Sequence, residues 1–336
     1  MIQHILVTGG AGFIGSHTVD LLIREGFAVT VLDSLEKGHH AAIHPDATFV
    51  QGDCGDAALL DGIFAGRAVD AVLHFAAYIE AGESMQRPER FFVNNTARPM
   101  VLLDAMLRAG VKKFVFSSTA ATYGEPQYTP IDEAHPQQPT NAYGYAKLLV
   151  EGALGWMHRL RGLDYAALRY FNAAGCSERL GEDHHPETHL IPLILDVAAG
   201  RRASIKLFGE DYPTPDGTCI RDYIHVEDLA SAHLLALRAI DQRGGQGAPL
   251  IYNLGNGQGY SVREVIEVAR KVTGHPIPVE AEPRRAGDPA VLVASSDKIR
   301  RELGWAPRHP SLEAIVQSAW DWRQRHPEGY AQAPRA

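Results

Sequence analysis

Cysteine is scarce in this sequence, and its few thiols follow no pattern typical of a disulfide framework. The 336 residues include 3 cysteines, Cys54, Cys176 and Cys219, and none of them belongs to a CxxC pair. Scattered single cysteines favour a reducing compartment over an oxidising one. We therefore expect a cytoplasmic protein without disulfide bonds.

Long apolar runs and an excess of positive charge are also missing. The apolar run after His4 is three residues long before it reaches Thr8, so the first residues do not resemble a signal peptide. No segment approaches the length of a membrane span. The formal net charge is -8, from 32 Lys and Arg against 40 Asp and Glu. We expect no membrane and no nucleic-acid partner, and an anionic ligand has to be held by a few local arginines.

What the first half does contain is a regular alternation of short apolar runs with helical segments. The apolar runs are HILVT, AVTVLD, TFVQ, DAVLHFAA, KFVFSS and YAALRYF. Such β-branched runs between helices predict buried parallel strands in a doubly wound α/β sheet.

The alternation breaks after about Asn172 into stretches rich in proline and glycine. This change predicts a second, smaller α/β lobe. Later runs, VEDLASAHLLALRAI and LIYNLG, have the patterns of a helix and a strand that can return to the first sheet. We expect a first domain over residues 1–175 with a return of part of 225–260, a second domain over 176–330, and a frayed tail at 331–336.

Three glycines, Gly9, Gly12 and Gly15, lie between the first predicted strand and the first predicted helix. They allow a tight turn, close backbone approach to a pyrophosphate and close packing of helix on strand. The helix N-terminus then faces the negative charge. Asp33 ends the second strand 24 residues after Gly9, where a carboxylate accepts from ribose hydroxyls and repels a 2′-phosphate. The pattern predicts a dinucleotide site for NAD rather than NADP.

Tyr143 and Lys147 stand four residues apart in the run NAYGYAK. On a helix this spacing puts both side chains on one face. A phenol beside a fixed ammonium ionises more easily than a free tyrosine, so it can transfer protons near neutral pH. Together with a dinucleotide site, the pair indicates hydride chemistry at a carbinol carbon.

A family resemblance rests on nine motifs, TGGAGFIGSH, GDCGD, HFAA, FSSTAATYGEP, NAYGYAK, LRYFNAAG, GTCIRDYIHV, YNLGNG and RRAGD. Through them the whole chain resembles the extended short-chain dehydrogenase/reductase family. The resemblance implies a Rossmann-type doubly wound parallel sheet with a smaller C-terminal α/β domain that binds a UDP-hexose. It implies NAD that stays bound, and reversible 4-epimerisation of UDP-glucose and UDP-galactose, with N-acetylated UDP-hexoses as further candidates. It also implies a homodimer formed by the helices around residues 88–109 and 141–162.

The resemblance assigns catalytic roles to three residues. Tyr143 is the base and acid at the sugar O4, Lys147 holds the nicotinamide ribose and lowers the Tyr143 pKa, and Thr119 stands where relatives carry serine. The implied cofactor contacts are Gly9, Gly12, Phe13, Ile14, Gly15, Asp33, Ser34, Asp53, Cys54, Phe75, Ala76, Ala77, Asn94, Ser117, Tyr143, Lys147 and Tyr170. The implied substrate contacts are Thr119, Tyr143, Asn172, His189, Leu190, Phe208, Arg221, Arg285, Asp288 and Leu292. Asp53 could instead cap a strand end, and Thr119 could be a satisfied strand-end hydroxyl.

Two positions bear on cofactor retention and substrate choice. Ile79 stands where a relative has a lysine near the NAD pyrophosphate, so we expect weaker retention of NAD. Leu292 matches the position that abuts the sugar C2 substituent in the family. Leucine is smaller than the tyrosine of some relatives, so this position predicts tolerance of N-acetylated sugars.

Other functions remain to be separated. A nucleotide-sugar 4,6-dehydratase carries an Asp-Glu pair after its catalytic threonine, whereas this chain has Ala120 and Ala121. A UDP-glucuronate decarboxylase also needs an extra acidic group there. An epimerase of UDP-xylose or UDP-arabinose, and a catalytically inactive NAD-sensing protein, stay as alternatives.

A histidine-rich segment contains His184, His185 and His189. His185 and His189 have the spacing of one helix face, but Pro186 interrupts a helix and no HExxH or cysteine partner accompanies them. We expect no metal.

Overall fold

A seven-stranded parallel sheet forms the centre of the molecule. A computed structural model describes residues 1–245, 247–285 and 288–330. Numbered along the chain, the strands of this sheet are β1 (His4–Thr8), β2 (Ala28–Asp33), β3 (Thr48–Gln51), β4 (Ala71–His74), β5 (Lys113–Thr119), β6 (Asp164–Tyr170) and β10 (Leu250–Leu254). Their order is β10-β6-β5-β4-β1-β2-β3, which confirms the doubly wound sheet predicted from the sequence.

Helices cover both faces of this sheet. The helices are α1 (Phe13–Arg24), α2 (Ala57–Gly66), α3 (Ala81–Ser84), α4 (Pro88–Phe92), α5 (Arg98–Arg108), α6 (Ala142–Arg161), α7 (Leu190–Ala198), α8 (Val226–Arg243), α9 (Val262–Thr273), α10 (Asp297–Leu303) and α11 (Leu312–Arg325). Two 3-10 turns lie at His40–Ala42 and Ala120–Thr122, and a π-helical turn at Val93–Ala97. Among the described residues, no helix combines the length and apolar character needed to cross a bilayer.

Side-chain alternation along the strands explains the two helical layers. In β1, Ile5 and Val7 pack into a core shared with α1 and α8, whereas Leu6 packs into a core shared with α2, α5 and α6. Successive residues of a strand point to opposite faces, so a strand that is buried on both sides reads as a continuous apolar run. This is why the first-half strands were visible in the sequence.

The second lobe is built on two separate small sheets and a separate core. Its strands are β7 (Asn172–Ala174), β8 (Ile205–Phe208), β9 (Ile220–His225), β11 (Gly259–Ser261), β12 (Val279–Glu282) and β13 (Val291–Leu292). β9 pairs with β7, β11 and β13, and β8 pairs with β12. The core under these strands comes mainly from α7, α9 and α11. The tail expected at residues 331–336 lies outside the described residues.

The strand order places a crevice between the lobes. The chain continues from β1 to β2 on one side, while β4 lies on the other side of β1. In open α/β sheets, ligands bind outside the carboxyl ends of the strands at such a reversal of strand order. The glycine-rich turn follows β1, and β7 leaves this edge for the second lobe.

Candidate functional site

The glycine-rich turn leaves room for a ligand at one of its three glycines. Gly9 has φ +74°, and a Cβ on it would lie 2.4 Å from the backbone nitrogen of Ala76. A Cβ on Gly15 would lie 2.1 Å from the Gly9 carbonyl oxygen, so α1 packs directly on the turn. At Gly12 the nearest atom to a Cβ is 3.4 Å away, and this N-cap of α1 has no side-chain cap. The N-terminus of α1 therefore opens onto the crevice, which fits a pyrophosphate group.

Asp33, at the end of β2, connects the glycine-rich turn to the loop that follows β2. Its Oδ2 accepts from the backbone N–H of Ala11 at 2.9 Å, and its Oδ1 accepts from that of Leu35 at 2.9 Å. Burial raises the pKa of Asp33, and these backbone donors oppose the rise. Each carboxylate oxygen has a second lone pair, which fits a ribose diol.

A narrow cavity of about 110 Å³ extends from Asp33 toward the β3 end of the sheet. Asp53 at its wall accepts from the Gly55 N–H at 2.7 Å and pairs with Arg98 at 2.9 Å. Burial raises the pKa of the Cys54 thiol to about 12, so this thiol stays protonated. The predicted cofactor residues that line this cavity are Gly9, Gly12, Asp33, Ser34, Asp53, Cys54, Phe75, Ala76, Ala77 and Asn94.

A larger cavity of about 530 Å³ continues from the glycine-rich turn into the second lobe. Many of the predicted residues meet in it, from the cofactor, catalytic and substrate sets alike. They are Gly9, Gly12, Phe13, Ile14, Gly15, Phe75, Ala77, Ser117, Thr119, Tyr143, Lys147, Tyr170, Asn172, His189, Leu190, Phe208, Arg221, Arg285 and Asp288. The two cavities share Gly9, Gly12, Lys37, Phe75 and Ala77.

Tyr143 reaches this cavity because α6 begins directly against the end of β5. Asn141 caps the helix by accepting from the Gly144 N–H at 2.8 Å. A Cβ on Gly144 would lie 2.4 Å from the Ala121 carbonyl oxygen, so the residue must be small for this approach. Thr119 accepts from the Ala121 N–H at 3.1 Å. Its own hydroxyl hydrogen stays available to donate to the Tyr143 oxygen or to a substrate oxygen.

The proton affinities of Tyr143 and Lys147 are set by burial. Burial raises the pKa of Tyr143, and a hydrogen bond with the Thr119 side chain opposes the rise. Burial lowers the pKa of Lys147 to about 7, and its Nζ donates to the Ser117 carbonyl oxygen at 2.8 Å. The expected effect of the Lys147 charge on the Tyr143 pKa stays a prediction. Burial, which the sequence could not show, is the largest influence on this phenol.

Two arginines stand at the far end of the larger cavity, where the lining comes from the second lobe. Arg221 on β9 pairs with Asp288 at 2.7 Å and donates to the Ile220 carbonyl oxygen at 2.8 Å. The Arg285 guanidinium lies 3.9 Å from the ring centroid of Phe208. Guanidinium groups pair bidentately with phosphate oxygens, so this end of the cavity fits a diphosphate.

The histidine segment forms a cluster of ion pairs before α7. The possible ligand atoms of Glu182, His184, Glu187 and His189 lie within 4.8 Å of one another. His189 Nδ1 lies 2.8 Å from Glu187 and 3.2 Å from Glu182. Burial alone would lower the pKa of His184, but hydrogen bonds and the charges of both glutamates raise it to about 10. Near neutral pH, the contacts of His184 are therefore imidazolium–carboxylate pairs. His185 points instead toward Asp183, at 3.3 Å.

Leu292 lies outside the lining of both cavities among the described residues. It is half-buried and packs against a small cluster of Ala120, Tyr123 and Ile131. Its backbone pairs with Arg221, and Phe171, which lines the larger cavity, packs on the same cluster. Leu292 is therefore one layer behind the cavity wall.

Lys37 is a residue of the site that the sequence reasoning missed. It lines both cavities, and its Nζ donates to Glu80 at 2.9 Å and to the His185 carbonyl oxygen at 3.1 Å. Ile79, which is 37% exposed, also lines the larger cavity. Through its bond to Glu80, the residue after Ile79, Lys37 places a cation close to position 79. The available signal was a lysine four residues after Asp33.

The sequence profile of the NAD dependent epimerase/dehydratase family matches residues 5–255. A UDP-glucose 4-epimerase of Halalkalibacterium halodurans is 55% identical over 329 residues, which are 97% of this chain and 97% of that protein. These two matches confirm the family resemblance carried by the nine motifs.

Two solved structures extend the similarity to the fold. A crystal structure of a UDP-glucose 4-epimerase is 50% identical, with a TM-score of 0.95, and the match covers 98% of this chain and 100% of that chain. The UDP-glucose 4-epimerase of Bifidobacterium longum in complex with NAD+ and UDP is 39% identical, with a TM-score of 0.93, and the match covers 98% and 100%.

Proposed function

The chain belongs to the NAD dependent epimerase/dehydratase family, and on that premise we propose that it interconverts UDP-glucose and UDP-galactose by NAD-dependent 4-epimerisation. The observation that carries the proposal is 55% identity to a UDP-glucose 4-epimerase over 97% of both chains. The cavity adds support, because one space of about 530 Å³ joins the glycine-rich turn, Tyr143 and the two arginines. The enzyme is an isomerase, since C4 inverts without net oxidation.

NAD is the cofactor. The open N-terminus of α1 at Gly12 and the carboxylate of Asp33 would hold its pyrophosphate and adenosine ribose. Ser117, Lys147 and the ring of Tyr170 line the wall where the nicotinamide end would lie. When bound, NAD+ supplies the acceptor for the hydrogen on C4 of the hexose. Asp33 would repel a 2′-phosphate, which favours NAD over NADP.

Tyr143 carries the proton transfer at O4. Its oxygen takes the O4 proton while C4 is oxidised, and it returns that proton when the opposite face of the 4-keto sugar is reduced. Thr119 donates a hydrogen bond to O4 and keeps it in line with Tyr143. Lys147 bears a charge that depends on pH near neutrality, because burial lowers its pKa to about 7. An ammonium one helical turn from Tyr143 favours the phenolate.

The second lobe anchors the UDP part of the substrate. Arg221 and Arg285 hold the diphosphate, and the backbone around Phe208 and Leu190 forms the nucleotide wall. The hexose must stay loosely held, because it has to present both faces of C4 to the same hydride site. We assign cofactor binding to residues 1–175 with the returning part of 225–260, and substrate binding to residues 176–330.

A homodimer is the proposed assembly. Helix α6 exposes Tyr145, Leu149, Trp156 and Leu160, and Val93 beside it is 55% exposed. Positions spaced by four, seven and four residues fall on one helix face, and exposed apolar stripes mark interaction sites. Light scattering after gel filtration tests this, and Trp156→Glu with Leu160→Glu should yield monomers. The three buried, unpaired thiols favour a cytoplasmic enzyme.

The direct test is incubation of the purified protein with UDP-galactose and separation of the products. We expect UDP-glucose to form without added reductant, and acid-released cofactor to be NAD. Parallel incubations with UDP-arabinose and UDP-N-acetylgalactosamine rank the substrates. A protein that carries NAD and turns over none of these sugars would instead be an NAD-sensing protein.

A further inference from the structure

Helix α6 carries a third polar residue on the face that holds Tyr143 and Lys147. Glu151 follows Lys147 by four residues, as Lys147 follows Tyr143, so the three side chains share one helix face. Glu151 lies below the cleft and lines neither of the two ligand cavities. Its side chain is 6% exposed, which is unusual for a glutamate.

Buried partners on two neighbouring strands hold this carboxylate. Arg169 on β6 donates from Nη2 to Glu151 Oε2 at 2.6 Å and from Nε to Oε1 at 3.0 Å. Ser118 on β5 donates its hydroxyl to Oε1. The Arg169 side chain is 4% exposed. The pair is bidentate and fully inside the protein, a geometry that fixes both distance and angle between helix and strands.

The network continues across the sheet to a third strand. Arg169 Nη1 donates to the Tyr123 oxygen at 2.8 Å, and Tyr123 donates to the Asn253 side chain at 2.6 Å. Asn253 lies on β10 and donates to the Ile131 carbonyl oxygen at 2.9 Å. One chain of polar contacts therefore ties α6 to β5, β6 and β10.

The network and the catalytic residues alternate along the same strands. Ser118 is the pairing partner of Arg169, and the next pair along the strands is Thr119 with Tyr170. Neighbouring residues in a strand point to opposite faces. The pair that grips Glu151 thus directly precedes the pair that lines the cavity, so a shift of α6 against β5 moves Tyr143 relative to Thr119.

We propose that Glu151, Arg169 and Ser118 are positioning residues for the epimerisation: their buried contact sets the rotation and height of α6 so that Tyr143 stays aligned with Thr119, and Lys147 with the Ser117 carbonyl. This inference depends on the proposed function only for its activity readout. Displacements of about 1 Å at a reacting group can cost roughly 100-fold in rate. A bidentate buried pair is a suitable device against such displacements.

The charge of Glu151 has a second effect on the same helix face. Burial lowers the pKa of Lys147, and the negative charge of Glu151 opposes that lowering. The Cys54 thiol would act in the same direction if ionised, but its pKa of about 12 keeps it protonated near neutral pH. His74 stays uncharged because burial lowers its pKa to about 3. Removal of the Glu151 charge lowers the Lys147 pKa further, so the ammonium is lost at a lower pH. The alkaline limb of the activity profile then moves toward lower pH.

Three variants separate positioning from general stability. Ser118→Ala keeps the charges of Glu151 and Arg169 but removes the hydrogen bond from Ser118 to Glu151. We expect kcat to fall about 10-fold. KM and the alkaline limb of the pH profile should stay unchanged. Glu151→Gln should lower kcat by about 10- to 100-fold and move the alkaline limb to lower pH. It leaves Arg169 buried without a counter-charge, which is destabilising. The double variant Glu151→Leu with Arg169→Met removes both charges. It leaves no buried charge without a partner, so it should fold even if Glu151→Gln does not.

A matched control lies in the second lobe. Arg323 pairs with Asp196 at 2.6 Å, with side chains 10% and 17% exposed. Asp196→Asn should lower the melting temperature without changing the pH profile. The inference is overturned if Glu151→Gln, or the double variant, loses stability but keeps the wild-type kcat and profile. A wild-type protein that binds NAD and epimerises nothing would instead overturn the proposed function.

Discussion

On the cofactor side of the cleft, the glycine-rich turn presents backbone and small side chains fixed to the sheet. The far end of the substrate side instead presents long side chains that hold one another. Gly9 and Gly15 approach other backbone atoms so closely that a Cβ has no room. Arg221, in contrast, is already paired with Asp288, and the Arg285 guanidinium lies over the Phe208 ring. The first side is shaped before a ligand arrives. The second side must exchange its own contacts for ligand contacts.

This difference matches the proposed cycle. A cofactor that stays through every turnover benefits from a rigid site, because little ordering is left for binding to impose. Product release is easier when carboxylates of the protein can pair again with the cations that held the product. Asp288 stands beside Arg221, and Glu187 stands beside His189. Substitutions on the two sides should therefore change different quantities.

The largest expected effect comes from Tyr143→Phe, at the boundary of the two sides. Loss of a positioned acid-base group costs about 10²–10⁴-fold in kcat, while NAD content and UDP affinity stay the same. Stopped assays with UDP-galactose, and titration with UDP, measure these quantities. Thr119→Ser is the matched control and should cost little, because the hydroxyl is retained. A Tyr143→Phe enzyme at near wild-type rate would remove Tyr143 from the mechanism.

Gly12→Ala tests the cofactor side alone. An added Cβ meets no protein atom closer than 3.4 Å, so the fold should survive, but the methyl group enters the space at the N-terminus of α1. We expect the purified variant to lose most of its NAD, and activity to return partly with added NAD+. Gly62→Ala on α2 is the control, since a Cβ there meets nothing within 4 Å and alanine favours a helix. Full NAD occupancy in Gly12→Ala would place the pyrophosphate elsewhere.

Arg221→Lys tests the substrate side alone. Lysine keeps the charge but loses the bidentate fork, so we expect KM for UDP-galactose to rise about 10-fold, the equivalent of one charged hydrogen bond. The kcat and the NAD content should change much less. Arg285→Lys should have a smaller effect on KM, because Arg285 is exposed and rests on a ring. An Arg221→Lys enzyme that loses NAD instead would contradict the division between the two sides.

The sequence predicted the local features of the site more completely than its long-range contacts, for a physical reason. Gly9, Gly12, Gly15 and Asp33 act through local backbone geometry, so their spacing alone carries the prediction. The buried pair of Glu151 and Arg169 joins residues 18 positions apart, and Lys37 reaches a carbonyl 148 positions away. Such contacts follow from tertiary packing, which no local pattern encodes. The rise in the Tyr143 pKa was missed for the same reason, because burial is a property of the folded chain.

The smallest expected effect comes from Leu292→Tyr. This variant tests whether a residue behind the cavity wall influences the choice of sugar. Leu292 packs on Ala120 and Tyr123 rather than on the cavity, so a larger ring must push through Phe171 to reach the sugar. We propose that it narrows the space at the sugar C2 and lowers the efficiency for UDP-N-acetylglucosamine, relative to UDP-glucose, by about 10-fold, the lower end of steric discrimination. The measurement is the ratio of kcat/KM for the two sugars in wild type and variant. Leu292→Met conserves volume and should leave the ratio unchanged. An unchanged ratio in Leu292→Tyr would show that this second layer does not sense the substituent, and that the first layer around Phe171 and Asn172 sets the choice of sugar.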